Sequence, residues 1–195
     1  MVVINMHIGT KELETKRLNL RKMKVSDADT MFKMWASDNE VTKYMTWHTH
    51  QDKSETEEIL KRWVSFYSDI KFYHWGIELK EEKLLIGSIS SVIFEENTKT
   101  VEVGYCISRK YWNQGLTSEA LRRIIEYFFD SVGVNVVRAT FDTRNIASRK
   151  VMEKCGMTFE GVKRLAAATS SGIGDLGMCS ITRLEYLGGH HGKDN

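Results

Sequence analysis

The sequence predicts a single α+β domain, and three observations carry that expectation. Two capped amphipathic segments follow an early alternating stretch. Three alternating stretches with short connections fill the middle. A long apolar-periodic segment is then bracketed by two strand-like runs between residues 101 and 142. A chain of 195 residues is long enough for one domain with a real core, and 42% hydrophobic with 28% charged residues is ordinary for a globular protein.

The elements follow in order. "ETKRLNLRKM" alternates around Leu18 and Leu20 and reads as a first strand. Ser26 with Asp29 resembles a capping box, and Met31, Phe32 and Trp35 share the face of the helix that follows. "VTKYMTWHTHQDK" reads as a loop. Ser54 with Glu57 forms a second capping box, before a helix bearing Ile59, Leu60, Trp63, Val64 and Tyr67 on one face; Trp35, Trp63 and Phe66 are expected in the core. "FYHWGIELK", "KLLIGSISSVIFE" and "TVEVGYCIS" make an antiparallel meander. A helix begins near Ser118, with Leu121, Ile124, Ile125, Phe128 and Phe129 at helical spacing. "VNVVRATFD" is a strand. Asn145 caps the helix "IASRKVMEKC", and Gly156 stands where a left-handed C-terminal glycine belongs. "TFEGVKRL" and "MCSITRLEY" close the chain as strands. The strand–helix–strand passage through 101–142 is a crossover, which sets those two strands side by side and parallel.

Composition narrows the function. No apolar run of transmembrane length and no signal-peptide pattern are present, so no membrane role is expected. Net charge is +2 with both signs interspersed, which disfavours nucleic-acid binding. Cys106, Cys155 and Cys179 are scattered and odd in number, as expected of reduced thiols in a cytoplasmic protein. Residues 1–11 and 188–195 are expected to be flexible tails of the one domain.

The segment "YWNQGLTSEAL" carries the most information. A lone glycine and two hydroxyl residues precede a helix whose first-turn N–H groups are unpaired and partly positive. Gly115 either permits a turn that Thr117 caps, or lets the backbone close on a phosphate or pyrophosphate. Two other patterns fail their context tests. "GIGDLG" (Gly172–Gly177) spells a dinucleotide fingerprint but precedes a strand instead of a helix, so it reads as a flexible hairpin loop. "WHTH" contains an H-x-H pair without a third ligand nearby, and no metal site is expected.

Residues 101–164, with "EVGY", "YWNQGLTSEAL", "NIAS" and "EKCGM" in order, resemble the central half of a GNAT-superfamily N-acetyltransferase. The branch most similar contains the ribosomal-protein N-terminal acetyltransferases (the RimJ/RimL group), and the likeness covers most of 12–187. The resemblance implies acetyl-CoA and a V-shaped splay between the two central parallel strands. It implies that Asn113, Gln114, Gly115, Leu116, Thr117 and Ser118 hold the CoA pyrophosphate. Tyr105, Cys106 and Ile107 would pair with the pantetheine arm, and Asn145 and Ser148 would face the thioester. Two departures stand out. Thr117 occupies a place usually small, and Met152 occupies the place of a tyrosine that many members use as general acid, leaving Ser148 as the nearest substitute.

Glu102 is the acid–base candidate, acting through water on the acceptor ammonium. An α-amine with pKa of about 7.8 is roughly a tenth neutral at pH 7, whereas lysine at about 10.4 is almost never neutral. A distant carboxylate therefore suffices for the first acceptor more readily than for the second. No covalent enzyme intermediate is expected, because direct attack needs orientation and carbonyl polarisation. Tyr44, Trp47, His48 and Asp175 are candidates to shape the acceptor pocket, and Cys106 reads as a small buried residue. The expected activity is N-acetylation of a primary amine, by analogy a protein N-terminus. A polyamine, amino acid or antibiotic acceptor is the alternative, as is a non-catalytic acyl-CoA-binding module. Either a monomer or a homodimer fits.

Overall fold

A computed structural model describes residues 7–191, leaving the first six and last four outside the description. The strands are β1 (Leu13–Glu14), β2 (Leu18–Arg21), β3 (His74–Leu79), β4 (Leu84–Glu95), β5 (Thr100–Ile107), β6 (Val136–Asp142), β7 (Thr158–Thr169) and β8 (Gly172–Thr182). Among the described residues they form one sheet in the order β1-β2-β3-β4-β5-β6-β8-β7. β5 and β6 are parallel and every other neighbouring pair is antiparallel.

The helices are α1 (Ala28–Met31, continued as a π-helix through Phe32–Ala36), α2 (Asn39–Thr42), α3 (Lys53–Phe66), α4 (Leu116–Glu126, continued as a π-helix through Tyr127–Val132), α5 (Ile146–Lys154) and α6 (Arg183–His191). They cover both faces. Leu116, Ala120, Leu121, Ile124 and Phe128 of α4 pack with Val101, Val103, Val137 and Ala139 of the central strands. On the other face Met31, Trp35 and Leu60 pack with Met23 and Leu85. The parallel β5–α4–β6 unit is the one the crossover pattern predicts. The apolar stripe of α4 needs a sheet beneath it, and the crossover between two parallel neighbours provides one.

Several expectations are corrected. The first helical segment is entered through Lys24, whose N–H donates to Asp27 Oδ2 at 2.7 Å; Ser26 does not cap it. α3 is capped by Asp52, not Ser54, because Asp52 Oδ1 accepts from the N–H groups of both Ser54 and Glu55. Phe66 is 45% exposed, and Val64 also faces outward, because α3 seats only a narrow face on the sheet. "GIGDLG" is not a flexible loop: it forms the first half of β8, paired to β7 at Gly172–Gly174 and to both β6 and β7 at Leu176 and Gly177. The last strand stops at Thr182, and "RLEY" is helical. Thr182 and Glu185 form a capping box, with Thr182 N–H on Glu185 Oε2 at 2.8 Å. β8 lies inside the sheet, so β7 is the edge. Residues 7–11 are no loose tail: His7 and Thr10 are buried, and Thr10 Oγ1 donates to the Phe72 carbonyl and accepts from the His74 N–H. Gly188 and Gly189 lie within α6. Gly156, at φ 82°, does follow α5 in the left-handed region.

Candidate active site

β5 and β6 share register only at Thr100–Val136, Val101–Val137 and Glu102–Arg138. Beyond that point β5 continues to Ile107 and β6 to Asp142 without pairing to each other. The strands thus splay, and each turns an edge of backbone N–H and C=O groups into a slot. A β-bulge at Val92 of β4 lies opposite the vertex, between the Ser91–Val103 and Ile93–Glu102 pairs. An extra residue there bends β4 and raises the local twist, which favours divergence of β5 from β6. Tyr105, Cys106 and Ile107 lie on the free stretch of β5. Burial pushes the Cys106 thiol up, and its Sγ contacts Ser88 Oγ at 3.5 Å, as suits an unreactive buried residue.

The turn into α4 is built from positive-φ backbone. Asn113 has φ 59° and Gly115, at the N-cap, φ 74°. Gly115 is required there because side-chain-bearing residues pay a steric penalty in that region. The first-turn N–H groups of Leu116, Thr117 and Ser118 have no intrahelical acceptor. Sequence reasoning missed the element that fixes this turn. Arg17, just before β2, donates from Nη1 to the Gln114 carbonyl at 3.0 Å and from Nε to Glu119 Oε2 at 2.7 Å. Glu119 Oε1 also accepts from Thr15 Oγ1 at 2.6 Å and the Arg17 N–H at 2.8 Å. Burial pushes the Glu119 carboxyl up, but these hydrogen bonds outweigh it and the net shift is downward. Arg17 thereby sets a guanidinium beside Gly115, its charge balanced by Glu119. The partners are about a hundred residues apart, and no local pattern announces them.

Glu102 sits at the vertex. Its Oε2 accepts from Arg138 Nε at 2.9 Å and its Oε1 from Thr140 Oγ1 at 2.9 Å. Arg138 also reaches Glu95 Oε1 at 2.6 Å. Asn145 caps α5, its Oδ1 accepting from the Ser148 N–H at 3.2 Å. Ser148 meets the Tyr105 phenol, 3.1 Å from Oγ and 3.1 Å from its carbonyl oxygen. Met152 is buried.

The acceptor-side candidates are less tightly grouped. Tyr44 lies under Arg144, with the guanidinium carbon 5.9 Å from the ring centroid, while Arg144 is fixed by Asp142 at 2.5 Å. Trp47 packs on the Trp35–Leu60 cluster. His48 is a surface residue, 82% exposed, 3.6 Å from Glu55. Asp175 serves the backbone: its Oδ1 accepts from the Leu165 N–H at 2.8 Å, holding a bulge of β7. The 43–47 loop is clamped by the β7–β8 turn. Ser170 N–H and Oγ donate to the Met45 and Trp47 carbonyls, and Ser171 N–H and Oγ donate to the Lys43 carbonyl. Beside this clamp a cleft of about 520 Å³ is lined by Asn39, Thr42, Lys43, His48, Gln51 and Ser170. Neither Glu102 nor Ser148 lines it, so the cleft is not itself the reaction centre. No cluster of three or more metal-ligating side chains occurs among the described residues.

A splayed parallel pair, a glycine-led helix start at its mouth and an asparagine-capped helix across it define an acyl-CoA-dependent transferase architecture. The acetyltransferase (GNAT) domain family matches residues 17–158, and the chain belongs to it. It is 31% identical over 176 residues to the N-acetyltransferase p20 of Bacillus licheniformis, covering 90% of this chain and 98% of that one. RimL, a ribosomal L7/L12 α-N-protein acetyltransferase solved with coenzyme A, superposes with a TM-score of 0.76 at 16% identity, covering 88% of this chain and 98% of that one. The microcin C7 self-immunity acetyltransferase MccE, solved with acetyl-CoA and AMP, gives 0.77 at 19% identity, covering 86% and 93%. The protein is an acetyl-CoA-dependent N-acetyltransferase. Its residues fit that donor: a Cβ-free Gly115 beside free helix amides and Arg17 suits a pyrophosphate, and the unladdered edge of β5 suits an amide-bearing arm. No helix of the described residues is long and apolar enough to cross a membrane.

Proposed function

We propose that the acceptor is the α-amine of a protein N-terminus. One observation carries this reading: the carboxylate at the vertex, Glu102, is held by both Arg138 and Thr140. With both oxygens engaged, the carboxylate is fixed in place to order a relaying water and does not contact the amine itself. It suits an amine that is already partly neutral near pH 7, and an α-amine meets that condition far better than a lysine or polyamine. In this reading Asn113–Ser118 hold the pyrophosphate, and Tyr105, Cys106 and Ile107 align the pantetheine arm. Asn145 and Ser148 organise the thioester end, and Glu102 relays the acceptor proton through water. Tyr44, Trp47, His48 and Asp175 belong to the acceptor side, with the β7–β8 turn as one wall. The bound donor supplies an activated acyl group; the chain orients it and the amine.

Two measurements test this. Isothermal titration with CoA should show binding by the wild type and its loss in Gly115→Trp, because a side chain at φ 74° both strains and fills the turn. Thiol release from acetyl-CoA should then be followed with short peptides bearing free or blocked N-termini, free lysine, and a polyamine. Turnover confined to free N-termini supports the proposal. Turnover with the polyamine and none with peptides would replace it with a small-molecule acceptor.

A further inference from the structure

The family's usual tyrosine acid is absent, and Met152 at its place is buried and aprotic. Another hydroxyl pair lies between β5 and α5. Tyr105 lies on β5 beyond the last β5–β6 pair, and Ser148 lies in the first turn of α5, which follows β6. Their contact, 3.1 Å from phenol to Ser148 Oγ, therefore spans the splay. The Tyr105 ring packs against the main core, which fixes its direction. Its phenol has two acceptors within reach, the Ser148 carbonyl and Ser148 Oγ, both at 3.1 Å. When the phenol donates to Oγ, the serine proton is free to point into the slot. When it donates to the carbonyl, Ser148 can donate back to the phenol. Rotation of one O–H switches between the two.

We infer that Tyr105 is a positioning residue that turns the Ser148 hydroxyl toward the departing sulfur, so that the pair stabilises the thiolate by hydrogen bonding without giving up a proton. The inference rests on the slot reading above. In the transfer the acceptor nitrogen bonds the acyl carbon, the carbon–sulfur bond breaks, and its electron pair goes to sulfur. The proton released by the nitrogen leaves by way of Glu102 and solvent. Ser148 Oγ donates a hydrogen bond to the sulfur while accepting one from Tyr105. Burial pushes the phenol well above its ordinary range, and the thiols of Cys155 and Cys179 face it as the other titratable groups. A thiolate cannot take a proton from such a phenol, so the tyrosine acts as a fixed donor.

The test needs no acceptor. Thiol ionisation of CoA bound to the protein is followed by thiolate ultraviolet absorbance across pH, beside free CoA, for wild type, Tyr105→Phe, Ser148→Ala and Ser148→Thr. Calorimetric binding of CoA is measured for each. The expected result is a bound-thiol midpoint about one unit below that of free CoA in the wild type. Ser148→Ala should abolish the shift, Tyr105→Phe should reduce it, and Ser148→Thr should retain it. Tyr105 and Ser148 line the slot, so CoA affinity is expected to fall in their variants, and each midpoint is read at saturating CoA. An unchanged midpoint in Tyr105→Phe, with CoA still bound, overturns the inference and leaves the slot intact. Failure of the wild type to bind CoA overturns both.

Discussion

Replacing Glu119 by Gln should loosen the turn before α4 at its anchor. The native carboxylate accepts three bonds: two on Oε1, from the Thr15 hydroxyl and Arg17 N–H, and one on Oε2, from the Arg17 guanidinium. A glutamine can keep its carbonyl oxygen toward the first two. Its amide then faces the guanidinium, donor against donor, and Arg17 loses its carboxylate partner while keeping the Gln114 carbonyl. A charged hydrogen bond is worth about 1.5–3 kcal/mol, and Arg17 is 44% exposed, which discounts the loss to about 1 kcal/mol. At this chain length that lowers the melting temperature by roughly 2–4 °C. The pH dependence supplies a second check. Because the folded carboxyl is shifted down, its contribution is fully present above the unfolded value of about 4.3 and is lost as pH falls through the folded value. Thermal melts of both proteins at pH 7 and in steps downward should therefore show a gap that closes below about pH 4. Equal melting at pH 7, or a gap independent of pH, would refute the reasoning. CoA affinity should fall with stability, since Arg17 also holds the Gln114 carbonyl.

Other outcomes follow from the same contacts. His74 is fully buried with Nε2 unpartnered, and burial lowers its pKa to about 3. Between that value and about 6.5 the unfolded chain binds the extra proton, so stability rises with pH there. His74→Phe should therefore lose about 2 kcal/mol less than the wild type on going from pH 7 to pH 4.5, as read by denaturant titration. Arg138→Ala leaves Glu102, only 12% exposed, without its cation and should cost about 2–4 kcal/mol by the same method, whereas Glu95, at the rim, contributes little.

Much of this architecture is written in short-range patterns. The stripe Leu121, Ile124, Ile125, Phe128 and Phe129 sets α4 against the sheet, and all five are buried. Strands on either side of it could only return in parallel. The caps were misplaced because several acidic and hydroxyl residues compete at each start. Asp52 wins over Ser54 because its carboxylate reaches two N–H groups at once. The end of β8 carries two competing signals: Thr182 and Glu185 spell a capping box, while the alternation in "MCSITRLEY" suggests a continuing strand. The length of β7 and β8 was hidden by the glycines between 172 and 177. Gly177 allows the close approach of the Phe141 ring, with which any Cβ there would overlap. Around the slot, the proposed pyrophosphate residues Asn113–Ser118 follow one another in sequence, as motifs do. Arg17, Glu119 and the Tyr105–Ser148 contact join distant segments, and only the folded chain brings them together.

The clamp between the β7–β8 turn and the 43–47 loop has a consequence for how such an enzyme can change. All four bonds from Ser170 and Ser171 end on backbone carbonyls, those of Lys43, Met45 and Trp47. Every residue type offers the same carbonyl, so the wall stays fastened whichever side chains the loop carries. If the loop lines the acceptor side as proposed, substitutions at Lys43 or Tyr44 would change acceptor preference without unpinning the segment that presents them. Acceptor preference and framework would then be separable, and single changes could alter the one while leaving the other in place.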